Sequence, residues 1–298
     1  MSNTKIKIRG HESFYIREGW LRKGTKAISV QSNILSDTRL AVDELGVGSA
    51  MVKSIRYWLQ ATGITEELRG EKGKRIQKIT KGFGEIIFEQ DPYFQDLGTI
   101  YLLHYKLVSN KQLATTWNLF FNKIKCYEMT KISMFERLKQ EILNINPTYE
   151  ISEKSLMDDC NCIIKTYYAD QHDFKNPEDN LISPLSDLGL VGKITSKSKD
   201  EVIIKTIPSR KKLDRLIVLY VIVDNMGENK STTINALIDD ENNIGKIFNL
   251  DKNTVNHYVD ILENEGYITV NRTSGLNTIY LTEAAEKDKV LNNYYSEN

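Results

Sequence analysis

A turn, a helix and a helix stop follow one another in the stretch Leu45-Gly-Val-Gly-Ser-Ala-Met-Val-Lys-Ser-Ile-Arg-Tyr-Trp-Leu-Gln-Ala-Thr-Gly63. The turn is indicated by the two glycines of Gly46-Val-Gly48, because glycine adopts backbone angles that other residues avoid. Val52, Ile55 and Leu59 then recur at the spacing of one helical face, so this face is predicted to lie in the core.

The ends and the outer face of this helix can also be predicted. Ser49 is the expected N-cap, because its hydroxyl can accept a bond from a free backbone N–H of the first turn. Gly63 stands where a left-handed C-terminal cap is needed. The face left outside carries Lys53, Arg56 and Tyr57, which we expect to meet a groove of DNA.

The segments on either side complete a winged helix-turn-helix pattern. Residues 25–45 are predicted to form two helices, the second capped by Ser36 or Asp37. Residues 64–80 hold two short strand candidates around a glycine-bounded turn at 70–73. Helix, helix, turn, helix and hairpin is the element order of a winged helix.

The hairpin carries a run of positive charge. From residue 69 to residue 81 there are six basic residues and one acid, Glu71, so the local charge is +5. The basic residues are Arg69, Lys72, Lys74, Arg75, Lys78 and Lys81. Such a run beside a basic helix face can neutralise the backbone phosphates of double-stranded DNA. The alternative is a solvated hairpin without a partner.

Two residues of the segment Gly10-His-Glu-Ser-Phe14 can do chemistry. His11 is an imidazole and Glu12 is a carboxylate, so together they can act as acid and base or bind a divalent metal, magnesium or manganese. We predict them as a catalytic pair. The alternative is a purely structural role, in which the nearby aromatic residues form core and the charged side chains are solvated.

The middle of the chain is predicted to be helical. Asp91, Asp96 and His104 can be read as metal ligands, but helix caps and a satisfied core histidine are the favoured interpretation. Cys160 and Cys162 point about 200° apart on a helix and therefore do not share a metal. We expect both cysteines to be small buried residues.

The last unit repeats the first pattern. A cap at Asp251, an apolar helix, a stop at Gly266 and a hairpin predict a second winged helix. Its helix carries several acids against Lys252 alone, and its hairpin carries Arg272. Because an acidic face meets a duplex poorly, we predict that this unit forms a homodimer or binds a protein partner.

Composition excludes several classes of protein. Of 298 residues, 40% are hydrophobic and 27% are charged, which is typical of a globular protein of about two domains. No run approaches the ~18 apolar residues of a membrane-spanning helix. We predict a cytoplasmic protein without a membrane partner, and its three cysteines fit a reducing compartment. Since the net charge is zero, any DNA contact must come from local charge.

Several motifs, taken in order, give the chain a resemblance to a known family. They are Gly10-His-Glu-Ser-Phe14, Trp20-Leu-Arg-Lys-Gly24, Leu45-Gly-Val-Gly48, Ser54-Ile-Arg-Tyr-Trp-Leu59, Asp91-Pro-Tyr-Phe-Gln-Asp-Leu-Gly-Thr-Ile-Tyr-Leu-Leu-His104, Phe120-Phe-Asn122, and Pro177-Glu-Asp179 with Ser183-Pro-Leu185. The chain resembles a bacterial family long catalogued as a domain of unknown function. That family recurs in gene clusters for DNA phosphorothioation and phage defence, and the SspB-type component of the single-strand systems belongs to it.

The resemblance implies a protein that acts on DNA. The SspB-type member is regarded as a nicking protein that opens one strand so that sulfur can replace a phosphate oxygen. Other proteins of the cluster supply a cysteine desulfurase, an ATPase and a sulfur-transfer enzyme, so protein partners from the same cluster are implied as well.

Together these observations predict a mainly α-helical fold with small β-hairpin wings, in which two winged helix-turn-helix units flank a helical middle region. The predicted domains are a basic winged helix at 1–90, a helical domain with a short hairpin at 91–207, and a second winged helix at 208–298. The irregular segment is expected at 171–190. The predicted function is DNA binding in a phosphorothioation and phage-defence system, with nicking of one strand. The alternatives are a non-catalytic transcriptional regulator and a protein-docking adaptor.

Overall fold

The computed structural model describes residues 5–70, 75–169, 182–195, 201–273 and 277–297. Two units divide the chain, Met1–Lys205 and Thr206–Asn298. The described residues form α-helices with small antiparallel sheets, which confirms the predicted mixture of helices and hairpins. Most of the turn predicted at 70–73 and of the irregular segment predicted at 171–190 lies outside the described residues.

The first unit begins with three helices and a hairpin. Its helices are α1 (Trp20–Val30), α2 (Thr38–Leu45), α3 (Ser49–Ala61), α4 (Phe83–Gln90), α5 (Leu97–Ser109), α6 (Thr115–Asn122), α7 (Lys131–Ile145) and α8 (Glu153–Tyr167). Its strands are β1 (Thr65–Arg69), β2 (Arg75–Ile79), β3 (Glu128–Thr130), β4 (Val191–Thr195) and β5 (Glu201–Lys205). The strands β1 and β2 form one hairpin, and the order of the other sheet is β3-β5-β4.

The caps of α2 and α3 differ in kind. The Asp37 carboxylate caps α2 by accepting bonds from the backbone N–H groups of Arg39 and Leu40, both at 3.2 Å, as predicted. The predicted Ser49 cap is wrong: Ser49 is already the first residue of α3, and Gly48 holds the cap position without a side-chain bond. Gly63 has a φ of 73°, which confirms the left-handed stop after α3.

Helix α3 is the core element of the first unit. Its predicted apolar stripe, Val52, Ile55 and Leu59, is at most 1% exposed. Trp58 is also fully buried, and its Nε1 donates to the carbonyl oxygen of Phe14 at 3.1 Å. Helices α1 and α2 pack against α3, so this helix is held on more than one side.

The β1–β2 hairpin is fixed at its base and along the outer edge of β2. Thr80 closes it next to α3, because its hydroxyl donates to the carbonyl oxygen of Gly63 at 2.7 Å. On the outer edge of β2, the Gln77 N–H donates to Ser32 O at 2.7 Å. The Ser36 hydroxyl donates to Arg75 O at 2.6 Å. The segment between α1 and α2 therefore lies against the free edge of β2.

A second, three-stranded sheet lies among the helices of the first unit. The short hairpin predicted within residues 91–207 is confirmed as β4 and β5, but β3, which pairs with the other side of β5, was not predicted. The last residue of β5, Lys205, is buried, and its Nζ donates to Phe120 O at 2.5 Å and to Ile124 O at 2.6 Å. This ammonium group thus neutralises the negative C-terminal end of α6.

The second unit has the element order helix, strand, helices and hairpin. Its elements are α9 (Arg215–Met226), β6 (Ser231–Thr233), α10 (Ile234–Asp239), α11 (Ile244–Ile247), α12 (Lys252–Asn264), β7 (Ile268–Asn271), β8 (Thr278–Leu281) and α13 (Lys287–Glu297). The sheet order is β6-β8-β7. Asp251 caps α12 by accepting a bond from Thr254 N at 2.7 Å, and Gly266 follows the helix with a φ of 79°, both as predicted.

None of the helices in the described part of the chain combines the length and the apolar character needed to cross a bilayer.

Candidate nucleic-acid interface

The outer face of α3 presents one free basic side chain. Lys53 is exposed, as predicted, and no acid pairs with it among the described residues. Tyr57 corrects the prediction, because it is only 5% exposed and its ring contacts His11 and Trp58. Burial raises the pKa of the Tyr57 hydroxyl well above its usual range, with Asp159 adding to the effect. Its ring is therefore part of the core and does not reach a DNA groove.

Arg56 is engaged by an acid of the neighbouring strand. Its guanidinium group binds the Glu67 carboxylate through Nη2 and through Nε, the latter at 2.9 Å. Arg75 approaches the other oxygen of Glu67 at 3.7 Å. Two arginines therefore share one carboxylate, which leaves a net positive charge where α3 meets the hairpin.

The charge of the hairpin is smaller than the sequence count indicated. Strand β1 adds Glu66 and Glu67, which that count left out, so residues 65–79 as a whole carry five basic and three acidic residues. Glu66 lies directly opposite Lys78 in the register of the two strands. Arg69, Arg75 and Lys78 are nevertheless exposed.

Two of the residues predicted to bind phosphates, Lys72 and Lys74, lie outside the described residues. The described part of the hairpin therefore presents the other three, Arg69, Arg75 and Lys78, to solvent.

The chain start supplies basic residues that were not predicted to take part. Lys7 Nζ lies 5.7 Å from the centre of the Tyr57 ring, so this segment runs beside α3. Burial lowers the pKa of Lys7, and nearby Lys5 lowers it further. The signal was present in Lys5-Ile-Lys-Ile-Arg9, where basic and apolar residues alternate as in an extended segment with one polar side.

A polar groove of about 580 Å³ opens beside α3. Arg56 and Arg75 line one part of it, and Asp37 with Thr38 at the start of α2 lines another. The groove is therefore bordered by guanidinium groups of α3 and β2 on one side and by the cap carboxylate of α2 on another. It continues the mixed but net basic surface of α3 and β2.

His11 lies in the core and not at a surface. It is fully buried, and its Nε2 donates to Asp159 Oδ1 at 2.7 Å. The same oxygen accepts the Arg9 N–H at 2.8 Å, and Asp159 Oδ2 accepts the Thr116 hydroxyl at 2.8 Å. The rings of Trp58 and Trp117 flank the imidazole. Asp159 thus joins the chain start to α6 and α8.

Glu12 points away from His11. Arg9, Glu12 and Ser13 all have positive φ angles, of 58°, 51° and 67°, so the backbone reverses sharply around His11. One result is that His11 is buried while Glu12 is exposed. The two side chains are therefore separated by the backbone turn, and they do not form the acid and base pair that the sequence predicted.

The donor set around His11 does not fit a divalent metal. Both oxygens of Asp159 already accept hydrogen bonds, and Asp158 accepts bonds from Ser13 Oγ at 3.1 Å and pairs with Arg9 at 3.0 Å. Across the described residues, no group of three His, Cys, Asp or Glu side chains is arranged to hold a metal ion.

The other residues considered as ligands have structural roles. Asp91 accepts bonds from Gln95 N and Asp96 N, and Asp96 caps α5, as the favoured interpretation predicted. His104 Nδ1 lies 2.7 Å from the Tyr167 hydroxyl inside the core.

The two cysteines of α8 are buried, which confirms the prediction. Burial raises the pKa of the Cys160 thiol to about 12 and that of Cys162 well above its usual range, with Asp159 adding to both shifts. These thiols are therefore unreactive near neutral pH.

The corresponding surface of the second unit is organised around acids. Arg272 pairs with Glu263 at 2.7 Å and with Asp260 at 3.2 Å. The hydrogen bond from Arg272 lowers the pKa of Glu263. Glu263 also accepts the Val270 N–H at 2.9 Å, so α12 holds its hairpin through a carboxylate. Arg272 of this hairpin is thus paired with acids of α12.

Three comparisons place the chain among known proteins. A family model described as "Protein of unknown function (DUF4007)" matches residues 8–295. No curated protein matches the sequence.

Among solved structures, the one described as "Magnesium ion-bound SspB crystal structure" has a TM-score of 0.86 and 23% sequence identity. Another, "SspB crystal structure", has a TM-score of 0.85 and 24% identity. Each alignment covers 97% of this chain and 88% of the other. The chain therefore shares its fold with these proteins along almost its whole length.

Proposed function

The chain belongs to the DUF4007 family of proteins of unknown function, and we propose that it is a DNA-binding component of a bacterial phosphorothioation and phage-defence system. In this proposal the first unit holds duplex DNA, and the second unit contacts a protein, either a second copy of the chain or a partner from the same gene cluster. The support for the system is the resemblance to SspB-type proteins, whose fold the chain shares.

We infer that each unit contains a winged helix-turn-helix. In the second unit, the strand between the first two helices pairs with the far strand of the hairpin, in the order β6-β8-β7. In the first unit, Ser32 lies between α1 and α2 and accepts a bond from Gln77 of β2. In both units, therefore, the segment after the first helix bonds to the second strand of the hairpin. This segment is a paired strand in the second unit, whereas in the first unit Ser32 makes one backbone bond.

The observation that carries DNA binding is the charge of α3 and its hairpin. Helix α3 contains Lys53 and Arg56 and no acid, so its exposed face is suited to a negatively charged groove. Strand β2 adds exposed Arg75 and Lys78 beside it. We propose that α3 enters the major groove and that the hairpin contacts backbone phosphates. Lys7 and Lys5 extend the basic surface.

The test is a charge reversal with a matched control. Lys53→Glu with Lys78→Glu changes the charge of the first unit, and Lys230→Glu with Lys252→Glu makes the same change at exposed lysines of the second unit. Binding to a duplex of about 25 base pairs is followed by fluorescence anisotropy at several salt concentrations.

We expect the first pair to lower affinity at least about tenfold and to reduce the salt slope by about 1 for each phosphate that the variant no longer neutralises. We expect the control pair to leave both quantities within about twofold of wild type. Equal effects from the two pairs, or no binding by the wild type, would exclude α3 as a DNA-binding helix.

Strand nicking is the finer part of the proposal, and it rests on the resemblance to SspB-type proteins alone. Since His11 is buried, we assign it a positioning role and keep the exposed Glu12 as the accessible carboxylate. The assay is incubation of supercoiled plasmid with the protein and magnesium or manganese. Open circles from wild type are expected, and their persistence with Glu12→Gln would remove Glu12 from the chemistry.

A further inference from the structure

The first unit contains a second basic site, a pocket that is separate from helix α3. The pocket has a volume of about 200 Å³. Three lysines from three different elements line it: Lys131 is the first residue of α7, Lys165 lies in the last turn of α8, and Lys193 lies on β4. Ile164 and Ile203, both buried, form apolar parts of the wall.

The charges of this lysine pocket are not balanced. Its one acid, Glu201, pairs with Lys193 at 3.0 Å. Lys131 and Lys165 have no acid within ion-pair distance among the described residues. Three ammonium groups and one carboxylate leave a charge of +2. Like charges held around one cavity repel each other, so an anion in the pocket would relieve that repulsion.

The size and the chemistry of the lysine pocket fit one phosphate group. Pockets that enclose small organic ligands usually measure at least about 300 Å³, so a whole nucleotide does not fit here. Lysine binds phosphate as a point charge. The Asn161 side chain, which also lines the pocket, adds an amide.

We propose that the lysine pocket binds a single phosphate group, supplied either by a nucleic-acid backbone or as free phosphate. The backbone source rests on the proposed DNA-binding function, whereas the free-phosphate source does not. In both cases the phosphate displaces Glu201 from Lys193 and takes its place among the three ammonium groups.

The test compares two double variants that remove the same charge. Lys131→Gln with Lys165→Gln removes the two unpaired lysines of the pocket. Lys125→Gln with Lys154→Gln removes two exposed lysines outside it, one of them also on α8. One arm titrates inorganic phosphate and follows the tryptophan melting transition, and the other measures duplex binding by anisotropy. The control pair corrects for the general effect of phosphate as a stabilising salt.

We expect the pocket variant to bind phosphate about tenfold more weakly than the control variant, because it loses charge-assisted bonds. If the pocket variant binds the duplex more weakly than the control variant, a backbone phosphate is identified as the ligand, whether or not its binding of inorganic phosphate is also weaker. Weaker binding in the inorganic-phosphate arm alone identifies free phosphate. If the pocket variant behaves like the control variant in both arms, the proposal is wrong.

Glu201→Gln tests the same site by a gain of binding. Glu201 is 69% exposed, so its substitution leaves the fold intact. Because the change frees Lys193 and removes the competing carboxylate, we expect phosphate to bind about threefold more tightly. Unchanged or weaker binding by this variant would contradict the pocket assignment. The inorganic-phosphate arm needs no DNA, so it decides this inference even if the wild type binds no duplex.

Discussion

Helix α3 with its hairpin and helix α12 with its hairpin are built on the same backbone frame. Both helices have 13 residues, and each is followed by a left-handed glycine, Gly63 or Gly266. In both, a threonine then closes the hairpin: Thr80 donates to Gly63 O at 2.7 Å, and Thr282 donates to Gly266 O at 2.8 Å. The same local stop and closure therefore occur twice in different sequences.

The surfaces placed on that frame have opposite charge. Helix α3 has no acid, and its Arg56 binds Glu67 on the strand. Helix α12 has Asp260 and Glu263, which bind Arg272 of the hairpin. The ion pair between helix and hairpin is kept, but the partners change sides. The frame and the surface charge are thus separate properties, and the proposal of different partners for the two units rests on the charge.

The two helices also differ in the buried hydrogen bonds on their core side. On the core side of α3, Asp159 accepts bonds from Arg9 N, His11 and Thr116, and this hub reaches α3 because the His11 ring contacts Tyr57 and Trp58. For α12, the nearest counterpart is one neutral bond, from the Tyr258 hydroxyl to Leu213 O at 2.7 Å. The first unit therefore contains a fully buried carboxylate, and the described residues of the second unit contain none.

The largest expected effect comes from removing that carboxylate. Asp159→Ala leaves two buried donors, on His11 and Thr116, and the partly buried Arg9 N–H without their acceptor. We expect it to lower the free energy of unfolding of the first unit by about 3–5 kcal/mol. Tyr258→Phe removes one neutral bond and should cost the second unit about 1 kcal/mol. All three tryptophans, Trp20, Trp58 and Trp117, lie in the first unit, so their fluorescence reports that unit, and circular dichroism reports both.

The neighbouring acid serves as the control for this substitution. Asp158 is partly exposed and pairs with Arg9 at the surface, so Asp158→Ala should cost at most about 1 kcal/mol. If Asp158→Ala and Asp159→Ala lower the tryptophan transition equally, the hub is not what supports α3.

The next effect tests the two left-handed glycines. An added Cβ at Gly63 would lie 3.3 Å from the Cβ and Cγ atoms of Lys106, whereas at Gly266 it would meet no atom within 4 Å. Both substitutions to alanine carry the strain of a positive φ, about 1 kcal/mol, and Gly63→Ala adds the crowding. We expect a loss of about 2 kcal/mol for Gly63→Ala, seen by tryptophan fluorescence, and about 1 kcal/mol for Gly266→Ala, seen by circular dichroism. Equal losses would mean that Lys106 moves aside freely.

The repeated frame could be predicted because its signals are local. Gly63, Gly266 and the Asp37 and Asp251 caps each act within a few residues of their own position. The stripe of Val52, Ile55 and Leu59 needed only the helical period. These features follow from backbone angles and side-chain spacing, which the sequence displays directly.

The candidate site was less predictable because its contacts are distant in sequence. The helical pattern of α3 predicts an exposed Tyr57, because nothing within that helix indicates that the chain start covers its ring. His11 and Asp159 are 148 positions apart, and β3 pairs with a strand more than 70 residues later. The sequence did contain one signal for Asp159. It lies with Leu156 and Ile163 on the buried face of α8, where an acid requires partners.

The smallest effect concerns the helix caps, where the two units differ by one carboxylate. Asp251 caps α12, and its hydrogen bonds from Thr254 lower its pKa below the usual value of 3.8. A carboxyl group with a lowered pKa in the folded state stabilises that state above its unfolded pKa, and the contribution disappears as pH falls through the folded pKa. Asp251→Asn keeps a cap without this titration. We therefore expect wild type to melt higher than the variant near pH 7, and the difference to shrink below pH 4.

Gly48 occupies the corresponding position before α3 and has no side chain to cap it. A Cβ there would meet no atom within 4 Å, and the backbone is extended. We therefore expect Gly48→Asp to supply a cap and to raise the stability of the first unit by about 0.3 kcal/mol. The gain should be present near pH 7 and disappear below pH 4 in the tryptophan transition. The same carboxylate would stand at the start of the proposed DNA-binding helix, so duplex affinity should fall while stability rises. If affinity and stability rise together, the start of α3 does not approach DNA phosphates.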